Sequence, residues 1–222
     1  MKARLLVCAS VALWVMALGW MSAAPGDSDK GDKHDLSVTE QARIEQGFAI
    51  APVRLNFNKK DRALVGLGSY LVNAVGGCND CHTNPPYKFG GDPSLGQPKQ
   101  VNNEHYLAGG TAFGPFVSRN LTPGGHPSLP EDGHTFAQFL DIIRHGTNDD
   151  FDPTKPVIPP NLPLLQVMPW PVYQSMTNHD LEAIYAFLGA IPHAEPCASV
   201  QEVKPMSPPP VDPFCAVFSP GP

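Results

Sequence analysis

Apolar residues recur at helical spacing in three stretches of this chain, and the segments between them hold too much proline and glycine to continue the pattern. In "DRALVGLGSYLVNAVGGC", Leu64, Leu67, Leu71 and Val75 follow Asp61, a residue suited to cap a first turn. In "GHTFAQFLDIIRHG", Thr135 precedes a stripe of Phe136, Phe139, Leu140 and Ile143, and Gly146 ends it. In "TNHDLEAIYAFLGAIP", Leu181, Ile184, Tyr185 and Leu188 share one face, and Gly189 and Pro192 stop the helix. A shorter helix is expected where Ser37 and Glu40 stand at capping-box spacing, with Gly47 as its stop. Gly66 and Gly68 each cost roughly 1 kcal/mol relative to alanine inside a helix. Their presence predicts a partner helix that comes close to this one.

The remaining segments read as irregular. Residues 25–36 are polar and aperiodic, a lead-in with His34 in solvent, and 83–133 read as loops. "DPTKPVIPPNLPLLQVMPWP" excludes helix because proline recurs every few residues. No alternating strand pattern stands out. The expected fold class is therefore mostly α, four or five short helices set in long Pro/Gly-rich loops. Composition agrees: 26 prolines and 20 glycines require long connections, while 42% hydrophobic residues still allow a core.

The first 24 residues carry only Lys2 and Arg4 as charges, followed by the apolar run "LLVCASVALWVMALGW" and the small residues of "MSAA". This is the pattern of an export signal over 1–24, or of a membrane anchor if it is not cleaved. Cleavage after Ala24 leaves 13 basic against 21 acidic residues, a formal charge of −8. Such a body argues against nucleic acid as a partner, since phosphate binding needs a basic patch. Four cysteines follow the signal: Cys78, Cys81, Cys197 and Cys215. In an oxidising compartment Cys197 and Cys215 suit a disulfide that closes a loop in the proline-rich tail.

The densest candidate chemistry is "VGGCNDCHTN", residues 75–84. A redox dithiol needs a preceding strand in a βαβ unit, and none is legible. A structural zinc site needs four ligands, usually as two pairs, and no second CxxC or HxxxH exists; His105, His126, His134 and His145 are scattered singly. The spacing CxxCH in an exported protein is instead the attachment signal for covalent c-type haem. Cys78 and Cys81, three apart near a helix end, can both add to one porphyrin, and His82 then faces the iron. For the opposite face, Met168 is the candidate: Pro169 holds it out of helical geometry, and the prolines between 153 and 171 stiffen its loop. Met176 and Met206 read as packing or tail residues, and a histidine from 126–145 is the alternative ligand. His/Met ligation suits electron transfer.

These residues resemble the mono-haem, class-I-like cytochrome c domains of exported c-type cytochromes and of the cytochrome c subunits of quinoprotein dehydrogenases. The resemblance is carried by "GSYLVNAVGGCNDCHT", "AGG…FGPFVSRNLTP", "TFAQFLDIIRHG" and "MPWPVYQSMTNHDLEAIYAFLGAIP", within 61–192. It implies one covalent haem c, held by Cys78, Cys81, His82 and Met168. It also implies a pocket role for Asn120, Thr122 and Pro123, and a contact of Gly66 or Tyr70 with Tyr185. "GGHPSLPEDGHT" departs from the Asp and Gly-Trp segment that usually follows "NxTP" in the family, so the loop over one haem edge is expected to be rebuilt. Residues 25–60 form an N-terminal extension and 193–222 a Pro-rich tail outside the resemblance. The expected function is single-electron transfer in the periplasm or an equivalent compartment. The partners would be redox proteins, a dehydrogenase among them. The alternative is a haem sensor or catalyst with an open sixth position.

Overall fold

In the computed structural model, which describes residues 29–124 and 135–197, the helix expected behind Asp61 stands at the centre of the fold. Helix α1 spans Asp29–Ile50 and α2 Arg62–Tyr70; α2 runs on into a π-helical turn, Leu71–Val75. Then come α3, Cys78–His82; a 3-10 turn, Pro93–Leu95; and a two-residue hairpin of β1, Ala112–Phe113, with β2, Phe116–Val117. The hairpin pairs antiparallel, Ala112 with Val117 and Phe113 with Phe116. Helices α4, Phe136–His145; α5, Trp170–Tyr173; and α6, Asn178–Leu188, complete the described elements. The fold is thus mostly helical, as the apolar spacing predicts.

The three strong helix signals are realised with their caps. The Asp61 carboxylate accepts from the Ala63 and Leu64 amides at 2.7 and 3.2 Å. Thr135 and Gln138 form a reciprocal capping box at the start of α4. The Thr177 hydroxyl accepts from the Asp180 amide at 3.1 Å at the start of α6. Each cap satisfies amides that have no partner within their own helix.

Helix α2 lies between α1 and α6, and glycines set both contacts. A Cβ on Gly47 would stand 1.9 Å from the Gly66 carbonyl oxygen, so α1 and α2 cross backbone to backbone. On the other side, a Cβ on Gly68 would stand 1.9 Å from the Ala183 carbonyl oxygen of α6. Gly68→Ala is therefore expected to destabilise the protein despite alanine's better helix propensity. The propensity gain is about 1 kcal/mol, whereas overpacking costs about 1–3 kcal/mol, and here the obstacle is backbone that cannot rotate away. A urea midpoint that falls at unchanged slope checks this; an unchanged or higher midpoint contradicts the close approach.

Gly47 explains where sequence reasoning misplaced α1. The helix neither begins at Ser37 nor stops at Gly47: it spans Asp29–Ile50, taking in the segment with His34 that was expected to be irregular. Gly47 lies inside the helix because contact with α2, not a left-handed cap, requires it. Residues after α1 also pack inward. Phe48 and Phe57 meet edge to face with centroids 6.0 Å apart, the Arg62 guanidinium lies 4.1 Å from the Phe57 centroid, and the Asn56 amide donates to the Ala190 carbonyl at 2.7 Å.

Three further expectations are corrected. Trp170–Tyr173 is a helical turn within the stretch from which proline seemed to exclude helix; Pro171 sits in its first turn, where no amide donor is needed. For the expected pairing of Gly66 or Tyr70 with Tyr185, the glycine is corrected: Gly68 instead of Gly66 faces the last helix, and the Tyr185 ring packs between Phe136 and Phe139, with centroids 5.5 and 5.4 Å away. Val75 leaves the stripe of Leu64, Leu67 and Leu71 and is 62% exposed, since the π-helical turn rotates the register by part of a residue.

Candidate functional site

Gly77, at φ 60°, turns the chain from the π-helical turn into α3, the five residues Cys78–His82. Cys78 and Cys81, one helical step apart, present their sulfurs from one face. Both thiols are free. Burial pushes the Cys78 thiol up to about 11, and burial followed by the Asp80 carboxylate raises Cys81.

His82, the last residue of α3, is fixed from two directions. Its carbonyl accepts from the Gly109 amide at 2.7 Å, and its ring Nδ1 donates to the Arg119 carbonyl at 2.8 Å. A carbonyl can only accept, so the proton sits on Nδ1 and Nε2 keeps its lone pair. Burial lowers the His82 pKa and favours the neutral imidazole. This is the tautomer and charge state in which histidine ligates a metal, with the other nitrogen hydrogen-bonded.

The site opens into a cavity of about 790 Å³, within the range of roughly 300–1,000 Å³ usual for ligand and cofactor sites. One wall is the π-helical turn and α3, with Leu71, Val75, Cys78, Cys81 and His82. The hairpin contributes Phe113 and Phe116, and α4 contributes Phe139, Ile142 and Ile143. The loop after α4, with α5 and α6, supplies Met168, Tyr173, Met176, Leu181 and Leu188. The wall is mainly apolar; Arg119, Asn148, Asp150, Lys155 and Asn161 form its polar sector.

All four residues expected to hold a cofactor, Cys78, Cys81, His82 and Met168, thus line one cavity. Met176 lines it too, while Met206 lies outside the described residues. Among the described residues His82 is the only histidine in the wall. His105 bonds to the Glu195 carbonyl and His145 to the Asp141 carboxylate, both at 2.8 Å; His126 and His134 lie outside the described residues. No group of three or more His, Cys, Asp or Glu able to hold a metal ion occurs among the described residues. The zinc reading thus gains nothing there.

Asn120 lines the cavity, but its side chain serves the backbone behind it. Its amide nitrogen donates to the Ala194 carbonyl at 2.8 Å, and its oxygen accepts from the Thr122 amide and hydroxyl at 2.9 and 2.7 Å. Thr122 is fully buried, and the Pro123 carbonyl bonds the His193 ring at 2.8 Å. This unit therefore anchors the start of the C-terminal tail. Cys197, at the end of that tail's described part, is disulfide-bonded, and Cys215 lies outside the described residues. So do residues 1–24, expected to be an export signal, and residues 125–134. Sequence reasoning missed Arg119, Tyr173 and the turn at 148–150. Nothing in their spacing marks them, because they act across long separations.

Comparison with known proteins adds to the geometry. A stretch of 141 residues, 61% of this chain, is 30% identical to the "Alcohol dehydrogenase (quinone), cytochrome c subunit" of Gluconacetobacter polyoxogenes, covering 24% of that protein. Over 60% of the chain, identity is 29% to the "Gluconate 2-dehydrogenase cytochrome c subunit" of Pantoea cypripedii, covering 25% of it. Over 67%, it is 29% to the "Fructose dehydrogenase cytochrome subunit" of Gluconobacter japonicus, covering 23%. The chain spans about a quarter of the length of the curated relatives it matches. No family model and no solved structure matches. By sequence, then, this chain is related to the cytochrome c subunits of sugar, sugar-acid and alcohol dehydrogenases and resembles a cytochrome c domain of that kind.

Proposed function

We propose that the chain carries single electrons through one haem c, joined to Cys78 and Cys81 and ligated by His82 and Met168, within a cytochrome c-like fold. The observation that carries this reading is the state of His82. Its Nδ1 is occupied by a carbonyl and its Nε2 is free to bind, beside two free thiols in a mainly apolar cavity. The donor set fits the cofactor. Each thiol adds its S–H across one vinyl double bond, so two thioethers form and nothing is released. When bound, the haem supplies a one-electron couple at iron. The chain's residues hold its plane, keep the proximal imidazole neutral and oriented, and exclude water with Leu71, Phe139, Ile143 and Leu181. Met168 would complete the coordination in both oxidation states, leaving no position for substrate.

Its working place in this reading is the periplasm or an equivalent compartment, and its partner a dehydrogenase. The names of the relatives support the partner, and the signal-like start of the chain supports the place. No described helix is long and apolar enough to cross a membrane. The test is expression in an export host equipped for cytochrome maturation, followed by visible spectra of both oxidation states and mass spectrometry. The expected product has one covalent haem, a low-spin spectrum and no carbon monoxide adduct. A colourless protein, or tryptic peptides with both thiols unmodified, overturns the proposal.

A further inference from the structure

We infer that Arg119 is a positioning residue for both faces of the cavity, tying the histidine wall to the loop that carries Met168; this rests on the haem reading above. Its main chain does the first part, since its carbonyl accepts from His82 Nδ1 at 2.8 Å. Its side chain does the second. Nη1 donates to Asp149 Oδ1 at 2.6 Å, and Nη2 lies 2.6 Å from Asp150 Oδ2 and donates to Asn148 Oδ1 at 2.5 Å. The Arg119 and Asp149 side chains are each 20% exposed, so this pair is shielded in a way that ordinary surface ion pairs are not.

The turn it grips is the base of the Met168 loop. The Asn148 amide donates to the Pro163 carbonyl at 3.0 Å, and its side-chain nitrogen to the Leu162 carbonyl at 2.6 Å. Thr147 pairs with Leu164 in an antiparallel bridge, and the Leu165 amide donates to the Gly146 carbonyl at 2.7 Å. Residues 146–148 and 162–165 therefore move as one unit, and Met168 lies three residues beyond it. A planar fork with donors on both terminal nitrogens can engage three acceptors at once; a lysine ammonium cannot hold that geometry. A second tie, from the Tyr173 hydroxyl to the Gly76 carbonyl at 3.1 Å, joins α5, just beyond Met168, to the turn before Cys78. Losing the Arg119 fork thus loosens the Met168 wall without separating it.

Carbon monoxide affinity of the ferrous holoprotein tests this, because carbon monoxide competes with the thioether for iron. Arg119→Gln and the double variant Asp149→Ala/Asp150→Ala change local charge in opposite directions but both remove the Arg119–carboxylate contacts. Both are expected to raise carbon monoxide affinity by about 10-fold, the lower end of the range for changes just outside a metal's ligands, because the fork holds the base of the Met168 loop and not the ligand itself. Both should also weaken the sulfur-to-iron charge-transfer band of the ferric form, and Arg119→Lys should recover only part of either signal. A charge effect alone would move the two variants oppositely, and that result, or wild-type behaviour in either, overturns the inference. Should Arg119→Gln not accumulate, the double variant, which leaves the His82 contact intact, decides alone. A wild type without covalent haem overturns the reading and the inference together; low-spin haem with indistinguishable variants overturns only the inference.

Discussion

His82→Ala should give a protein that keeps its covalent colour but loses its low-spin spectrum entirely. In the proposed reading attachment would run through Cys78 and Cys81, which the substitution leaves untouched. In that reading no described histidine would replace His82: it is the only described one that lines the cavity, and His105 and His145 are engaged elsewhere. The Arg119 carbonyl also loses its donor, so an outer contact goes with the ligand. Added imidazole should enter the vacated space and restore the low-spin spectrum, which distinguishes a missing ligand from a collapsed fold. A low-spin spectrum in His82→Ala without added imidazole would show that some other group binds the proximal face.

Met168→Ala should open the sixth position, so that the ferrous protein binds carbon monoxide and the potential falls. A thioether favours ferrous iron, and in a one-electron couple each tenfold of that preference is about 59 mV. A fall of about two such steps, or more, is expected from titration with redox dyes. The control is Met176→Ala, because Met176 lines the same cavity. It should retain the wild-type spectrum and potential. If Met176→Ala opens the iron and Met168→Ala does not, the ligand lies on the segment before α6 and the stiff proline loop has another purpose.

How far the sequence revealed all this depended on the range of the interaction. The caps at Asp61 and Thr135 were legible because capping is a contact between residues two or three apart. So was the grouping of Cys78, Cys81 and His82, which lies within five residues. Gly66 and Gly68 correctly announced close helix contacts, but not which helix each would meet, since that depends on chain segments 19 and 115 residues away. Gly47 was misread as a stop because a glycine that ends a helix and one that admits a neighbour look alike in one dimension. The hairpin at 112–117 was missed because two residues per strand are too few to show alternation. Arg119 was invisible for the same reason of range: its partners lie 29 to 37 residues away on either side.

The placement of α2 between a helix from before it and one from far after it has a consequence for how the molecule matures. Close packing around the CxxCH segment requires α6, more than a hundred residues downstream, to return to Gly68. Contacts of that sequence separation form late, after shorter loops have closed. A nascent chain that ends near residue 150 has both thiols and His82 but lacks Met168 and Leu181 to seal them. In the proposed haem reading, the groove would still be open when the thiols are joined, and the last segment to arrive would act as the door that shuts behind the cofactor.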